Sequence, residues 1–242
     1  MKVNIQKMNI AIIPARGGSK RIPRKNIIRF CGKPIIAYSI EAAINSKLID
    51  RVIVSTDDHE IANVAKEYGA EIPFMRDKVL ADDMTGTTPV IRAALSDYIA
   101  LKNNVECCLC LYATAPFVTA QLIDQSVELL EQAKADYVFT AHRFSFPIQR
   151  ALLEDESGNI RPYSAVDINE RSQDLPHAYH DAGQLYAAQA STWLNTSKAI
   201  FSERSRMLKL PSHLVQDIDT FEDWKRAEVM FRVLKEMGER KS

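Results

Sequence analysis

Five cations crowd into one short stretch, "IIPARGGSKRIPRKN" at residues 12–26: Arg16, Lys20, Arg21, Arg24 and Lys25. It starts as an apolar strand and breaks at Gly17 and Gly18, where the missing Cβ lets backbone N–H groups approach an anion closely. Arg and Lys clustered at such a turn suit a polyphosphate. The pattern is neither G-x-x-x-x-G-K-[ST] nor G-x-G-x-x-G, and a solvated basic turn accounts for the same residues. Near the other end, "VQDIDTFEDW" places Asp217 and Asp219 two residues apart, so in an extended segment both carboxylates face one side. Oxygen ligands on one face, with water completing the shell, suit Mg²⁺ carried with substrate phosphates. A helix cap competes for these residues. Thr220 with Asp223 makes a capping box that accounts for Thr220 and leaves the aspartate doublet unexplained. A third stretch, "RSQDLPHAYHDAGQLY", offers Arg171 as a bidentate partner for a carboxylate, and Gln173, His180 and Asp181 as readers of sugar hydroxyls. His180 by itself is more simply structural, and no Ser/His/Asp spacing calls for a nucleophile.

The rest of the composition narrows the classes. Lys+Arg and Asp+Glu number 31 each in 242 residues, so the chain has no overall bias toward nucleic acid or an anionic membrane. A local basic cluster on a neutral chain points to a local anion. Of the four cysteines, Cys107, Cys108 and Cys110 lie in "VECCLCLY", a buried-strand pattern. Adjacent strand residues face opposite ways, so reduced core thiols explain them better than a metal site. The opening "MKVNIQKMNIAII" is too short and polar for a signal peptide. No run approaches the roughly 18 apolar residues of a spanning helix. The expectation is a soluble, cytoplasmic protein.

These residues need elements to hold them. Strand patterns fall at 9–15, 51–56, 70–75, 106–112, 136–142 and 206–211, and helical spacing at 34–47, 59–69, 88–102, 119–134 and 221–237. Strand–helix alternation predicts βαβ units and a largely parallel sheet, with ligands at the carboxyl ends of its strands. Asp57 or Asp58 is the N-cap of the second helix and Gly69 its left-handed stop. The alternation loosens over about 143–187, which reads as an inserted arm on a single domain of residues 1–242.

Taken in order, these stretches resemble the CMP-sialic acid synthetase family of sugar cytidylyltransferases. The resemblance rests first on "IIPARGGSKRIPRKN" and continues through "VIVSTDDHEIANVAKEYGAEIPFMR", "LADD", "ATAPF" and "VQDIDT", over nearly the whole chain. It implies a three-layer α/β nucleotide-diphospho-sugar transferase fold, with a mainly parallel sheet, helices on both faces and a protruding arm that forms a homodimer. It implies transfer of CMP from CTP to a nine-carbon keto sugar acid, with release of pyrophosphate. Arg16, Ser19, Lys20 and Lys25, with the Gly17–Gly18 turn, would hold the triphosphate. Asn26 would meet the cytosine or ribose, and Arg76 would assist at the nucleotide. Asp217 and Asp219 would bind Mg²⁺, making Lys20 and this pair the catalytic set. Arg171, Gln173, Asp181, Gln184 and Tyr112 would surround the sugar acid. Two departures stand out. Sialic-acid enzymes commonly have glycine at the position of Arg21, and "QPTSP" where this chain has Tyr112-Ala113-Thr114-Ala115-Pro116. The missing glutamine, whose side chain would lie near the sugar, favours a differently substituted acid such as pseudaminic acid. Sialic, legionaminic and 3-deoxy-octulosonic acids are the alternatives. A non-catalytic nucleotide-binding module of the same fold is a further one, against which the intact aspartate pair stands.

Overall fold

The apolar alternation of β1 (Met8–Pro14) sends Ala11 and Ile13 to one face of a sheet and Ile10 and Ile12 to the other, all fully buried. The computed structural model describes residues 7–101, 103–164 and 170–238. After β1 come a small hairpin, β2 (Arg29–Phe30) and β3 (Lys33–Pro34), then α1 (Ile35–Ile44), β4 (Arg51–Ser55), α2 (His59–Glu67), α3 (Thr87–Ala100), β5 (Val105–Leu111) and α4 (Ala120–Ala133). The second half holds β6 (Val138–Arg143), a hairpin of β7 (Leu152–Glu154) and β8 (Ile160–Pro162), β9 (Tyr179–Gln189), α5 (Ala190–Leu194), β10 (Arg206–Leu210) and α6 (Phe221–Glu236). Among the described residues no helix is long and apolar enough to cross a membrane.

Six strands form the central sheet in the order β10-β6-β9-β5-β1-β4. The pairs β1–β4, β1–β5 and β10–β6 are parallel, while β9 runs antiparallel to both β5 and β6. Helices α1, α2 and α4 bury their apolar stripes on the face of Ala11, Leu109 and Leu185. Helices α3 and α5 cover the face of Ile12, Cys108 and Tyr186, where Trp193 is fully buried and donates its indole N–H to Cys108 O at 2.8 Å. The sandwich of helices around a mainly parallel sheet agrees with the expected fold. The cysteines are core thiols: burial pushes Cys107 up to about 12 and holds Cys108 and Cys110 well above the ordinary thiol value.

A third cluster matters most for the site. Helix α6 lays Trp224, Phe231 and Leu234 against Ile22, Phe30, Tyr38 and Ile218. Edge-on ring contacts of Phe30 with Trp224 (5.5 Å) and Phe231 (5.4 Å) tie the hairpin after the basic loop to the last helix. The helix starts on the expected capping box, Thr220 accepting from Asp223 N and Asp223 from Thr220 N, worth about 1 kcal/mol.

Two expectations move. Residues 70–75 do not form a strand: Glu71 makes one bridge to Ile53, exchanging bonds with Val52 and Val54, and Pro73 has no N–H with which to continue. The arm also ends earlier than 187. Residues 179–189 are a central strand, and the stretch between β6 and β9 carries the exposed β7–β8 hairpin. The end of β9 is buried on both faces and a register shift interrupts its pairing with β6, so it has no period-2 pattern to read.

Candidate active site

The basic loop leaves β1 at its carboxyl end and is held by the segment that follows β4. Asp58 caps α2, accepting from Glu60 N (2.9 Å) and Ile61 N (3.0 Å), and also takes a two-point grip on Arg24 at 2.5 and 3.0 Å. The grip fixes Arg24 in the left-handed region (φ 58°), a conformation that costs a non-glycine residue energy. It also holds the Asp58 carboxyl down at about 2, mainly through the Arg24 bond. Gly17 donates its N–H to Asp57 Oδ1 at 3.0 Å. A Cβ there would sit 2.8 Å from Asp58 Oδ2, so the glycine serves a close approach within the protein. Gly18 has open space around it, and neither glycine lines the cleft below.

The cleft, about 480 Å³, is lined by Arg16, Ser19, Lys20, Arg21, Lys25, Asn26, Arg76, Asp83, Thr87 and Tyr112, among others. Arg16 donates to Asp83 Oδ1 at 2.7 Å and to Asp82 O at 2.8 Å, and Lys20 pairs with the other oxygen of Asp83. Those two cations hold the Asp83 carboxyl below its ordinary value. Asn26 is buried and donates to Arg16 O at 2.9 Å, bracing the loop from beneath. Arg76 is buried at the cleft wall, bonded to Ser55 Oγ (3.1 Å) and Ser55 O (2.5 Å). Burial lowers it to about 10, with Asp57 opposing the drop.

Lys25 joins the two ends of the chain. Its Nζ donates to Ile218 O at 2.6 Å across 193 residues and lies 3.5 Å from Asp219 Oδ1, to which Arg21 Nη2 also pairs at 2.8 Å. Ile218 is fully buried, so the extended segment turns its flanking residues, Asp217 and Asp219, outward together. Burial first, and the Asp219 charge second, raise Asp217 above the ordinary carboxylate value.

That doublet is a reasonable Mg²⁺ donor set. Among the described residues no group of three or more His, Cys, Asp and Glu side chains forms a metal cage. One or two carboxylates completed by phosphate and water are what Mg²⁺ takes with a nucleotide. The like charge of Asp219 adds to the rise at Asp217, second to burial and opposed by Lys25.

A second pocket of about 480 Å³ opens beside the first and shares Tyr112 with it. Tyr112 is hydrogen-bonded through its hydroxyl to Thr87 Oγ1 (2.8 Å) and its N–H goes to Gln184 O (2.9 Å). Burial pushes its phenol up to about 12. Its ring lies 5.6 Å from that of Tyr186, whose hydroxyl donates to Asp181 Oδ2 at 2.5 Å. Asp181, Asp217, Gln216, His142, Phe144 and His180 also line this pocket. Gln184 lies behind it, 2% exposed, its amide N–H donated to Leu214 O. Arg171 and Gln173 are exposed on the arm and line neither pocket.

A family model described as cytidylyltransferase matches residues 10–239, a span that includes the basic loop, the cleft and the aspartate doublet. The chain belongs to the cytidylyltransferase family. It is a nucleotidyltransferase, as the sequence resemblance implied. This cytidylyltransferase is 44% identical over 225 residues to the pseudaminic acid cytidylyltransferase of Campylobacter jejuni, covering 93% of this chain and 97% of that protein. It is 31% identical to the CMP-N,N'-diacetyllegionaminic acid synthase of Legionella pneumophila, covering 94% and 97%. In fold it is similar to a CMP:2-keto-3-deoxy-manno-octonic acid synthetase solved with CTP: TM-score 0.68, 16% identity, 93% and 99% covered.

The spacing of charges pointed to Arg16, Lys20, Lys25 and the doublet. The three cations line one cleft, Asp217 lines the second pocket, and Asp219 lines neither but pairs with Arg21 and Lys25 at the cleft's edge. Asp83, Tyr186, His142 and Phe144 were missed as site residues. Asp83 lies in "LADD", an acidic pair whose partners are over 60 residues away.

Proposed function

We propose that this cytidylyltransferase transfers CMP from CTP to the anomeric hydroxyl of pseudaminic acid, a nine-carbon keto sugar acid with two acylamino groups, releasing pyrophosphate. The observation that carries the reading is the Lys25 bridge, which sets a cation-lined cleft against the Asp217–Asp219 doublet beside a second, sugar-sized pocket. The name of the Campylobacter relative supports the choice of acid.

The triphosphate would take the place of Asp83 on Arg16 and Lys20, whose charge would neutralise the pyrophosphate as it leaves. Asn26 keeps the loop in shape from below, and Arg76 closes the nucleotide wall. Tyr112, at the junction of the two pockets, would set where the nucleotide ends and the sugar begins. The anomeric hydroxyl would attack the α-phosphorus in line, a step governed by positioning and charge neutralisation with no covalent enzyme intermediate. Asp217 and Asp219 would hold Mg²⁺, which supplies charge neutralisation at the phosphates and a lowered pKa for a bound hydroxyl. Asp181 would read the sugar from the second pocket, with Gln184 buttressing its wall.

The arm would form the homodimer implied by the family resemblance. Its exposed Phe146, Leu152, Ile160 and Tyr163, 60% exposed or more, make an apolar surface that a second copy would cover. Arg171 and Gln173 lie on the same arm. Light scattering at micromolar concentration tests the dimer, and a monomer overturns it.

The function is tested by incubating the protein with CTP and Mg²⁺ and with pseudaminic, legionaminic, sialic or 3-deoxy-octulosonic acid under identical conditions, following pyrophosphate. Fastest release with pseudaminic acid is expected. Faster release with another acid transfers the reading to that acid, and no release with any acid overturns it.

A further inference from the structure

The second pocket ends in an aromatic wall that the roles above leave unused. His142 and His180 are cross-strand partners at the last turns of pairing between β6 and β9. Their rings lie 5.9 Å apart, and Phe144 meets His180 edge-on at 5.7 Å. The two imidazoles are held alike. Nδ1 of His142 is 3.2 Å from Arg143 O, and Nδ1 of His180 is 2.5 Å from Asp181 O. A carbonyl oxygen only accepts, so each Nδ1 carries the hydrogen, and in the neutral ring Nε2 is a lone-pair acceptor. Asp181 does not occupy them, since its carboxylate accepts from Tyr186 and from Gly183 N.

The chemistry of this wall narrows which part of a sugar acid it suits. Among the described residues no Lys or Arg lines the pocket, so it offers no fixed cation to the carboxylate. Asp181, Gln216 and Asp217 line the pocket too and suit sugar hydroxyls, while Ala182 and Val215 add apolar surface to it. An acylamino group fits on each count. It is planar and can lie on an aromatic face, its N–H seeks an acceptor, and its methyl seeks apolar cover.

We propose that His142, His180 and Phe144 form the subsite for an N-acyl group of the sugar acid: its N–H is donated to an imidazole Nε2, and its methyl packs on Phe144. The proposal rests on the second pocket being the sugar site of the transferase described above. It also assigns the sugar's direction, with the anomeric end at Tyr112 and the acylamino end toward the arm.

The experiment compares pseudaminic acid bearing N-acetyl groups with its N-formyl counterpart, which keeps charge and N–H but lacks the methyl. The wild-type enzyme is expected to favour the acetyl form several-fold in kcat/KM, since one buried methyl gives about tenfold at the low end of such pockets. Phe144→Ala should bring that ratio close to one. His180→Ala and His142→Ala should lower kcat/KM for both acids, about tenfold for the ring that carries the bond, with KM for CTP unchanged. His180→Gln, which keeps an acceptor, should recover part of the loss. An acetyl/formyl ratio that Phe144→Ala leaves in place overturns the subsite, as does a histidine loss that appears in KM for CTP. If the wild-type enzyme turns over neither acid, the functional reading itself fails, which distinguishes the two.

Discussion

The two pockets meet at Tyr112 and are built on opposite terms. In the basic cleft most cations are already answered by the protein: Asp83 lies on Arg16 and Lys20, while Arg21 and Lys25 lie on Asp219. In the second pocket the surfaces are rings and strand backbone, with Asp181 and Asp217 as its carboxylates. One is built of charges and the other mainly of rings. The cleft keeps its charges positioned without ligand by pairing them internally, so Asp83 stands where phosphate is expected and Arg21 where a metal is. Breaking the charged half should therefore have the largest consequence. Asp217→Asn or Asp219→Asn is expected to lower kcat by about a thousandfold, the loss typical of a removed electrostatic stabiliser at a reacting centre. The thermal midpoint should change little for Asp217→Asn, whose carboxylate makes no ion pair among the described residues, and fall slightly for Asp219→Asn, which gives up its pairs with Arg21 and Lys25. Pyrophosphate release and a melting curve on the same samples check both halves, and near-wild-type turnover with both changed would end the metal assignment.

Lysines inside the cleft separate binding from construction. Lys20 is largely exposed and pairs with Asp83, so Lys20→Ala should reduce kcat/KM for CTP by about ten- to a hundredfold, the range for one lost charge-assisted contact, and leave stability alone. Lys25 is half-buried and fastens the loop to Ile218. Lys25→Met should cost both CTP use and thermal stability. Equal melting temperatures for the two variants would mean that the bridge between the chain ends is not structural.

The same contrast explains what the sequence made legible. Charged loops at strand ends announce themselves, because Arg16, Lys20 and Lys25 cannot be core and Asp217 and Asp219 flank a core isoleucine at a spacing of two. The caps at Asp58 and Thr220 were readable for similar reasons, being short-range chemistry. The second pocket was legible only in part, through Tyr112, His180 and Asp181. Its strand β9 is interrupted by a register shift and enters the sheet antiparallel, so "YHDAGQLYAAQ" carries neither a helical nor a strand period. His142 looked like the last residue of an ordinary strand, and His180 like a sugar-hydroxyl reader or a structural histidine; only their pairing across β6 and β9 makes them a wall. Gly17 was legible as a required glycine for the wrong partner: its close neighbours are the protein's own carboxylates, Asp58 and Asp57, and it does not line the cleft.

Support beneath the cleft should give a middle-sized, structural effect. Asp58→Ala removes the α2 cap and the grip on Arg24 together, with an expected cost of about 1–2 kcal/mol and a thermal midpoint lower by about 2–8 °C for a chain of this size. The pH dependence has a definite sign. The Asp58 carboxyl is held at about 2 in the folded protein against 3.8 ordinarily. Its contribution is thus complete above about pH 4 and is lost as pH falls through the folded value. The wild-type midpoint should drop between about pH 4 and 2 more steeply than that of Asp58→Ala; parallel acid limbs would show that the Arg24 grip adds nothing to stability.

The smallest expected effect is the most direct test of internal pairing. Asp83 is a carboxylate resting on the two cations proposed for the triphosphate, so under that proposal CTP would displace it on binding. Asp83→Asn keeps the shape and removes the competing charge. KM for CTP should fall by about threefold, a modest change because ion pairs in water contribute little. The advantage should shrink as salt is raised, since screening weakens the competitor and the substrate alike. If KM rises instead, Asp83 acts as a strut that holds Arg16 and Lys20 in position, and the nucleotide cleft then depends on prior shape as much as the sugar pocket does.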